Sequence, residues 1–242
     1  MSDNITLKKG LDIKLVGKAE QNVVQAPRAK SYGLTPDEFI GITPKLLGQA
    51  EDVVKAGTPL FFDKAHPDVL FVSPVSGKVK TVERGDKRKI VNVVVEADDT
   101  DTYEQFDIKP IGSSERADVI ATLLKCGMWP FIIQRPYGIV ADPADTPKAV
   151  FVSGFDSAPL APDMNFALRD RYEDLQKGFE VLGKISGGKV HLGLKYGSSG
   201  VVDKITGVGK HTFKGPHPAG NGGGQIHHVA PVKTGEVVGT VN

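Results

Sequence analysis

Cysteine is nearly missing from this chain of 242 residues, with Cys126 the single example. One thiol excludes an intrachain disulfide, a four-cysteine iron–sulfur cluster and a cysteine-rich zinc site. An excess of charge of either sign is lacking too: 30 Lys and Arg against 29 Asp and Glu leave a net charge of +1. That balance provides no electrostatic footprint for a nucleic-acid partner. Long apolar runs are also missing, since even the run 91–95 is broken by Asn92, and nothing approaches the ~18 residues of a membrane span. Residues 1–10 carry Asp3, Lys8 and Lys9 without an apolar core, so no secretory signal is expected and the chain reads as cytosolic, or as the soluble part of something larger. What is present is ordinary for a folded protein. Hydrophobic residues make up 40% and charged residues 24%, which excludes wholesale disorder.

Glycine and proline are plentiful, at 28 and 16, and they punctuate the chain too often for long helices. Short alternating or β-branched runs at 11–16, 58–62, 69–72, 78–82 and 90–96 predict strands. They are separated by turn signals such as Lys55-Ala-Gly57, His66-Pro-Asp68, Ser73-Pro-Val-Ser-Gly77 and Arg84-Gly-Asp86. A polar stretch at 97–101 reads as a linker. The period then changes. Residues 114–127 predict a helix capped by Ser113 or Ser114, with Val119, Ile120, Leu123 and Leu124 as its apolar stripe and Gly127 as its stop. A strand at 149–152, a helix at 167–183 through Leu168, Tyr172, Leu175, Phe179 and Leu182, and a strand at 189–194 follow the βαβ rhythm of an α/β domain.

Within the β region, Glu51-Asp-Val-Val-Lys-Ala-Gly-Thr-Pro-Leu60 and Ser73-Pro-Val-Ser-Gly-Lys-Val79 flank a hairpin carrying Asp63-Lys-Ala65. This pattern resembles the biotinyl/lipoyl domain, in which a hairpin lysine carries a prosthetic group. Lys64 would be that attachment point. His66-Pro67-Asp68 intrudes on the tight hairpin such a lysine needs, so an ordinary exposed Lys64 is the preferred reading. The expected architecture is α+β and multidomain: a biotinyl/lipoyl-like β-sandwich over 1–100, a Rossmann-like α/β domain over 101–200, and a Gly-rich β segment over 201–242.

A nucleotide or flavin module is the natural alternative for an α/β unit, but the fingerprint is thin. Val152-Ser-Gly-Phe-Asp156 holds one glycine where a dinucleotide turn needs three, and Ser186-Gly-Gly188 precedes a strand. Gly220-Asn-Gly-Gly-Gly224 suits either a nest of backbone amides for an anion or a mobile loop. His227 and His228, read as strand neighbours, would point to opposite faces and could not share a metal with His217. Gly127-Met-Trp-Pro-Phe-Ile-Ile-Gln-Arg-Pro-Tyr-Gly138 concentrates aromatic and basic residues; it reads either as a flat-ring site or as core aromatics with a locally paired Arg135.

Taken in order, Ile5-Thr-Leu-Lys-Lys-Gly-Leu-Asp-Ile13, the 73–79 motif, Gly127-Met-Trp with Gln134-Arg-Pro136, Phe151-Val-Ser-Gly-Phe-Asp-Ser-Ala-Pro-Leu160, Gly187-Gly-Lys-Val-His191 and Gly215-Pro-His-Pro-Ala-Gly220 resemble one family. It is the A-type component of the sodium-translocating NADH:quinone oxidoreductase, and the resemblance runs through essentially the whole chain. It implies an oxidoreductase and sodium-transport subunit, peripheral on the cytoplasmic side of the bacterial inner membrane. Quinone is the implied substrate. No redox cofactor is implied on this chain, while FAD, FMN and Fe-S centres belong to partner subunits. The family continues past Asn242 with a small β-grasp domain, so the chain reads as the first part of a longer protein. Phe155-Asp-Ser-Ala-Pro and Asn221-Gly-Gly-Gly-Gln225 depart from the family pattern.

No catalytic or metal-ligating residue is expected. The surface expected to meet quinone, or to dock on a membrane subunit, lies on two loops. Phe39, Gly41 and Ile42 supply apolar surface and close approach, and Phe131, Gln134, Arg135 and Tyr137 supply ring faces and donors to a quinone carbonyl.

Overall fold

A computed structural model describes residues 3–17, 20–187 and 189–241. Gly188 and Asn242, which entered the turn and chain-extension readings above, lie outside the described residues. The chain separates into two compact units that interleave along the sequence. A β unit takes Val24–Ile133 and Gly138–Asp142; an α/β unit takes Met1–Val23, Gln134–Tyr137 and Pro143–Asn242. The segments expected from sequence, 1–100, 101–200 and 201–242, were consecutive instead.

The β unit holds two antiparallel sheets. One runs in the order Ser31–Leu34, Ile90–Ala97, Gly77–Arg84, Val53–Val54; the other is Pro44–Leu46, Pro59–Asp63, Leu70–Val72. The strand period of two explains the packing: Val79, Val93 and Val95 are buried while Lys78 and Lys80 face out. Among the described residues no α-helix precedes Arg116. The stretch expected to be a linker is stitched to the sheets. Asp101 accepts from the Ser76 amide at 2.9 Å and from both terminal nitrogens of Arg28 at 2.7 and 2.9 Å, and the Thr102 amide donates to Ser76 Oγ at 3.0 Å. A turn signal in sequence here is a closing clasp in space.

The helix Arg116–Lys125 is found where the periodicity placed it, and Val119 and Ile120 are buried. Its cap position is Glu115; neither serine takes it. Ser114 is instead buried and donates its hydroxyl to Pro110 O at 3.0 Å. Gly127 adopts φ +70°, the left-handed stop expected of it.

In the α/β unit Val150–Ser153 is central. Val190–Lys195 and then Gly209–Lys214 lie on one side of it, with Asp3–Thr6 outside them, and Val238–Val241 lies on the other side. Every one of these pairings is parallel. From the central strand Val150–Ser153 the chain steps outward through Val190–Lys195 and Gly209–Lys214 and then returns to the central strand's opposite side with Val238–Val241, which is the doubly wound order. The amphipathic helix Tyr172–Ile185 covers one face, where Phe179 packs with Val190, Leu192, Leu194, Val202 and Ile205. The predicted helix at 167–183 is in fact two, Met164–Ala167 and Tyr172–Ile185, because Leu168 ends the first turn and packs into the core. The other face packs Phe151 with Ile226 and Val238.

Two expectations fail here. Residues 11–16 form no strand, and Leu11, Ile13, Leu15 and Val16 stay exposed. The glycine-rich loop at 220–224 is neither a nest nor a free loop: Asn221 accepts from the Gly223 amide and caps the helix Gly222–Val229. His227 and His228 therefore sit on a helix, not a strand, with ring centroids 5.1 Å apart.

Candidate functional site

Four of the residues singled out from sequence fall in the β unit, and local structure explains their placement. Phe39 closes a short 3-10 turn, Pro36–Glu38, its amide donating to Pro36 O at 3.0 Å. Its ring meets Phe71 edge-on at 4.7 Å and Phe131 edge-on at 6.2 Å; Phe71 in turn stacks on Phe61 at 4.7 Å. Edge-to-face geometry of this kind adds about 0.5–1.5 kcal/mol per pair beyond burial. The row runs from Phe61, fully buried, to Phe131, 53% exposed. Ile40 and Met128 are exposed large hydrophobics flanking it in sequence.

Close approach of two loops requires glycine at position 41. Gly41 has φ +92°, and a Cβ there would stand 2.8 Å from Ile139 Cβ. The Val140 amide donates to Ile40 O at 2.9 Å, so the loop is pinned on the strand Ile139–Val140. Ile42 is half-buried. Trp129 is a core residue, as the plainer reading of the aromatic cluster had it: its indole Nε1 donates to Ala141 O at 2.7 Å. That reading fails for Phe131, which the same turn directs outward.

Gln134, Arg135 and Tyr137 belong to the α/β unit. Gln134 is buried, and its Nε2 donates to Asp145 at 3.2 Å. Arg135 Nε donates to Thr240 Oγ1 at 3.3 Å, a contact far away in sequence and not the local pair expected. Tyr137 is exposed. The structure thus brings Phe39, Gly41, Ile42 and Phe131 into one unit and assigns the polar candidates to the other.

Lys64 is exposed in the connection between Pro59–Asp63 and Leu70–Val72. Buried Asp63 holds that connection by accepting from the Thr43 and Ala65 amides, and His66 faces Asp142 at 3.8 Å.

Sequence reading missed a polar cluster under the helix Gly222–Val229. His191 Nδ1 and His211 Nε2 are 3.0 Å apart, and Phe151 stacks on His191 at 4.6 Å. Burial, then His211 and Lys189, pushes the His191 pKa below its ordinary value. Beside them Gln225 is fully buried and donates to Ser153 Oγ at 2.9 Å. Ser157 Oγ meets His217 Nδ1 at 3.1 Å and accepts from the Gly220 amide. The alternation of Val190, His191 and Leu192 signalled one face, but only the strand order shows that His191 and His211 are neighbours.

Residues 5–98 match the model of the NqrA N-terminal barrel-sandwich hybrid domain, and residues 114–242 match that of the NqrA second alpha/beta domain. The chain is 32% identical over 240 residues to the A-type component of the Na(+)-translocating NADH-quinone reductase of Neisseria meningitidis serogroup B, covering 98% of this chain and 54% of that one. It is 34% identical over 236 residues to the protein of the same name from Yersinia pseudotuberculosis, covering 97% and 53%. The chain therefore spans about half the length of the curated relatives it matches. Two family domains in order, a barrel-sandwich unit and a doubly wound α/β unit, and relatives of one name together place this chain in the NqrA family.

Proposed function

We propose that this chain serves in a Na(+)-translocating NADH-quinone reductase as its relatives are named to do, as a peripheral, cytoplasmic-side subunit. In this reading it carries no redox group of its own, partner subunits hold the FAD, FMN and Fe-S centres, and quinone is the substrate it helps to bind. The observation that supports a contact role is the phenylalanine row ending in half-exposed Phe39 and exposed Phe131 beside Ile40 and Met128. A flat apolar ring fits such a surface, and its anchoring through Phe71 and Phe61 keeps it rigid. Gln134, Arg135 and Tyr137 remain proposed quinone contacts in their own unit, Arg135 through the guanidinium nitrogens other than Nε.

A second reading, docking on a membrane subunit, draws on the same surface, because aromatic residues and Met also mark interface cores. Photo-crosslinking of this chain with a quinone analogue separates the two. Labelling at 39–42 and 131 reduced by Phe131→Ala, or labelling at 134–137 reduced by Arg135→Ala, supports the quinone reading. Labelling elsewhere, unaffected by both changes, refutes it. Loss of complex assembly in Phe131→Ala without loss of labelling selects docking.

A further inference from the structure

The carboxyl ends of parallel strands are where open α/β sheets receive ligands. A cavity of about 380 Å³ opens there in the α/β unit, at the ends of Val150–Ser153 and Val190–Lys195. Its size lies within the range of small-molecule sites, about 300–1,000 Å³. The walls are tied in place. Asn165 Oδ1 accepts from the Val202 amide at 2.9 Å and its Nδ2 donates to Asp203 at 3.1 Å, while Ser198 Oγ bridges Lys195 O and Asp203. Two glycines make the shape possible: a Cβ at Gly154 would stand 2.7 Å from Val202 Cγ1, and one at Gly200 would stand 2.3 Å from Asn165 Cγ.

The polar groups left at this cavity define a ligand. Lys195, at the end of its strand, is exposed, and its ammonium makes no hydrogen bond or ion pair among the described residues. Tyr196 follows it as a residue 55% exposed, and Lys214 Nζ sits over its ring, 5.1 Å from the centroid. Asp156, which also lines the cavity, accepts at Oδ1 from the Ala158 amide at 2.7 Å, which leaves its second oxygen as an acceptor. A cation, an aromatic face and a carboxylate together match a phosphate, a planar base and ribose hydroxyls. The turn after Val150–Ser153 offers one glycine, too few for a pyrophosphate turn, so a single phosphate borne by Lys195 suits this site better than a dinucleotide. The geometry points to a mononucleotide site at Lys195, Tyr196 and Asp156, independent of the quinone reading.

The test uses the chain as it stands, with adenosine 5′-monophosphate, adenosine and inorganic phosphate as probes, followed by NMR amide shifts and calorimetry. The monophosphate is expected to move the amides of 154–156 and 196–199. Lys195→Ala should weaken it about tenfold or more, as loss of a charged hydrogen bond does. Adenosine should bind more weakly and respond little to Lys195→Ala. Since Lys195 is exposed, that variant should keep its fold, and its unchanged spectrum elsewhere checks this. Absence of binding at millimolar monophosphate, shifts elsewhere, or unchanged affinity in Lys195→Ala overturns the site. Inorganic phosphate binding as tightly as the monophosphate also overturns it, reducing the feature to an anion contact.

Discussion

Gly77→Ala is the sharpest test of the β unit's packing. Gly77 begins the strand Gly77–Arg84, pairs with both Ala97 and Val54, and adopts φ +153°. A Cβ there would lie 1.9 Å from Glu96 O and 3.1 Å from Ala97 Cα. These are backbone atoms of the neighbouring strand, so no rotamer change relieves the clash. The backbone conformation itself costs a non-glycine residue roughly 1–3 kcal/mol, and forcing atoms into a filled space costs roughly 1–3 more. The expected loss is then about 2–6 kcal/mol, a large part of the ~5–15 kcal/mol that holds a domain folded. Two units make a single unfolding free energy ill-defined, so native-state hydrogen exchange is the proper assay. The amides of Val79, Val93 and Val95 should exchange about 30- to 20,000-fold faster, at tenfold per 1.4 kcal/mol, while those of Val190 and Leu192 should not change. Gly178→Ala provides the opposite sign. It lies inside Tyr172–Ile185 with nothing within 4 Å of the added methyl, and should slow exchange in the α/β unit by the roughly 1 kcal/mol that separates Ala from Gly in a helix. Equal, small effects from the two substitutions would refute the close-approach argument.

Further outcomes follow from the same geometry. His191 has its folded-state pKa below the ordinary 6.5, so the unfolded chain takes up the proton first. The α/β unit should therefore hold full stability above about pH 6.5 and lose some as pH falls below it; a melt series in which His191→Asn keeps the same slope over that window would contradict this. Asp101, held below the usual carboxylate range by Arg28 and the Ser76 amide, loses its contribution only at lower pH, below an unfolded value near 3.8. Ser76→Ala removes buried hydroxyl bonds to Thr100 O and from the Thr102 amide and should cost about 1–3 kcal/mol, read as faster exchange at 97–104. Deleting residues 1–9 strips the edge strand Asp3–Thr6 from Gly209–Lys214 and should raise exchange at Phe213 without touching Val95.

Much of the strand content was readable because burial alternates: Val79, Val93 and Val95 announce themselves by period alone. Failures came where a pattern had no partner. Residues 11–16 alternate like a strand, but no neighbouring backbone pairs with them as a strand. The glycines at 222–224 read as a loop by propensity, yet Asn221 caps them into a helix whose Ile226 packs on Phe151. Of the site candidates, Phe39 and Phe131 could be named as apolar loop residues, whereas their edge-on contact, and that of Phe39 with Phe71, are products of tertiary packing. Engagement of Gln134 by Asp145 and of Arg135 by Thr240 was equally out of reach, since it depends on which strands become neighbours.

The single tryptophan lends this molecule an unusual optical property. Trp129 is buried in the β unit, its indole hydrogen-bonded to Ala141 O, and the α/β unit contains no other indole. Intrinsic fluorescence excited at the red edge of indole absorption therefore sees one unit and is blind to the other. Far-ultraviolet dichroism, by contrast, sums over both. A melt recorded by the two signals side by side resolves, without labels or truncation, whether the units come apart together or in turn.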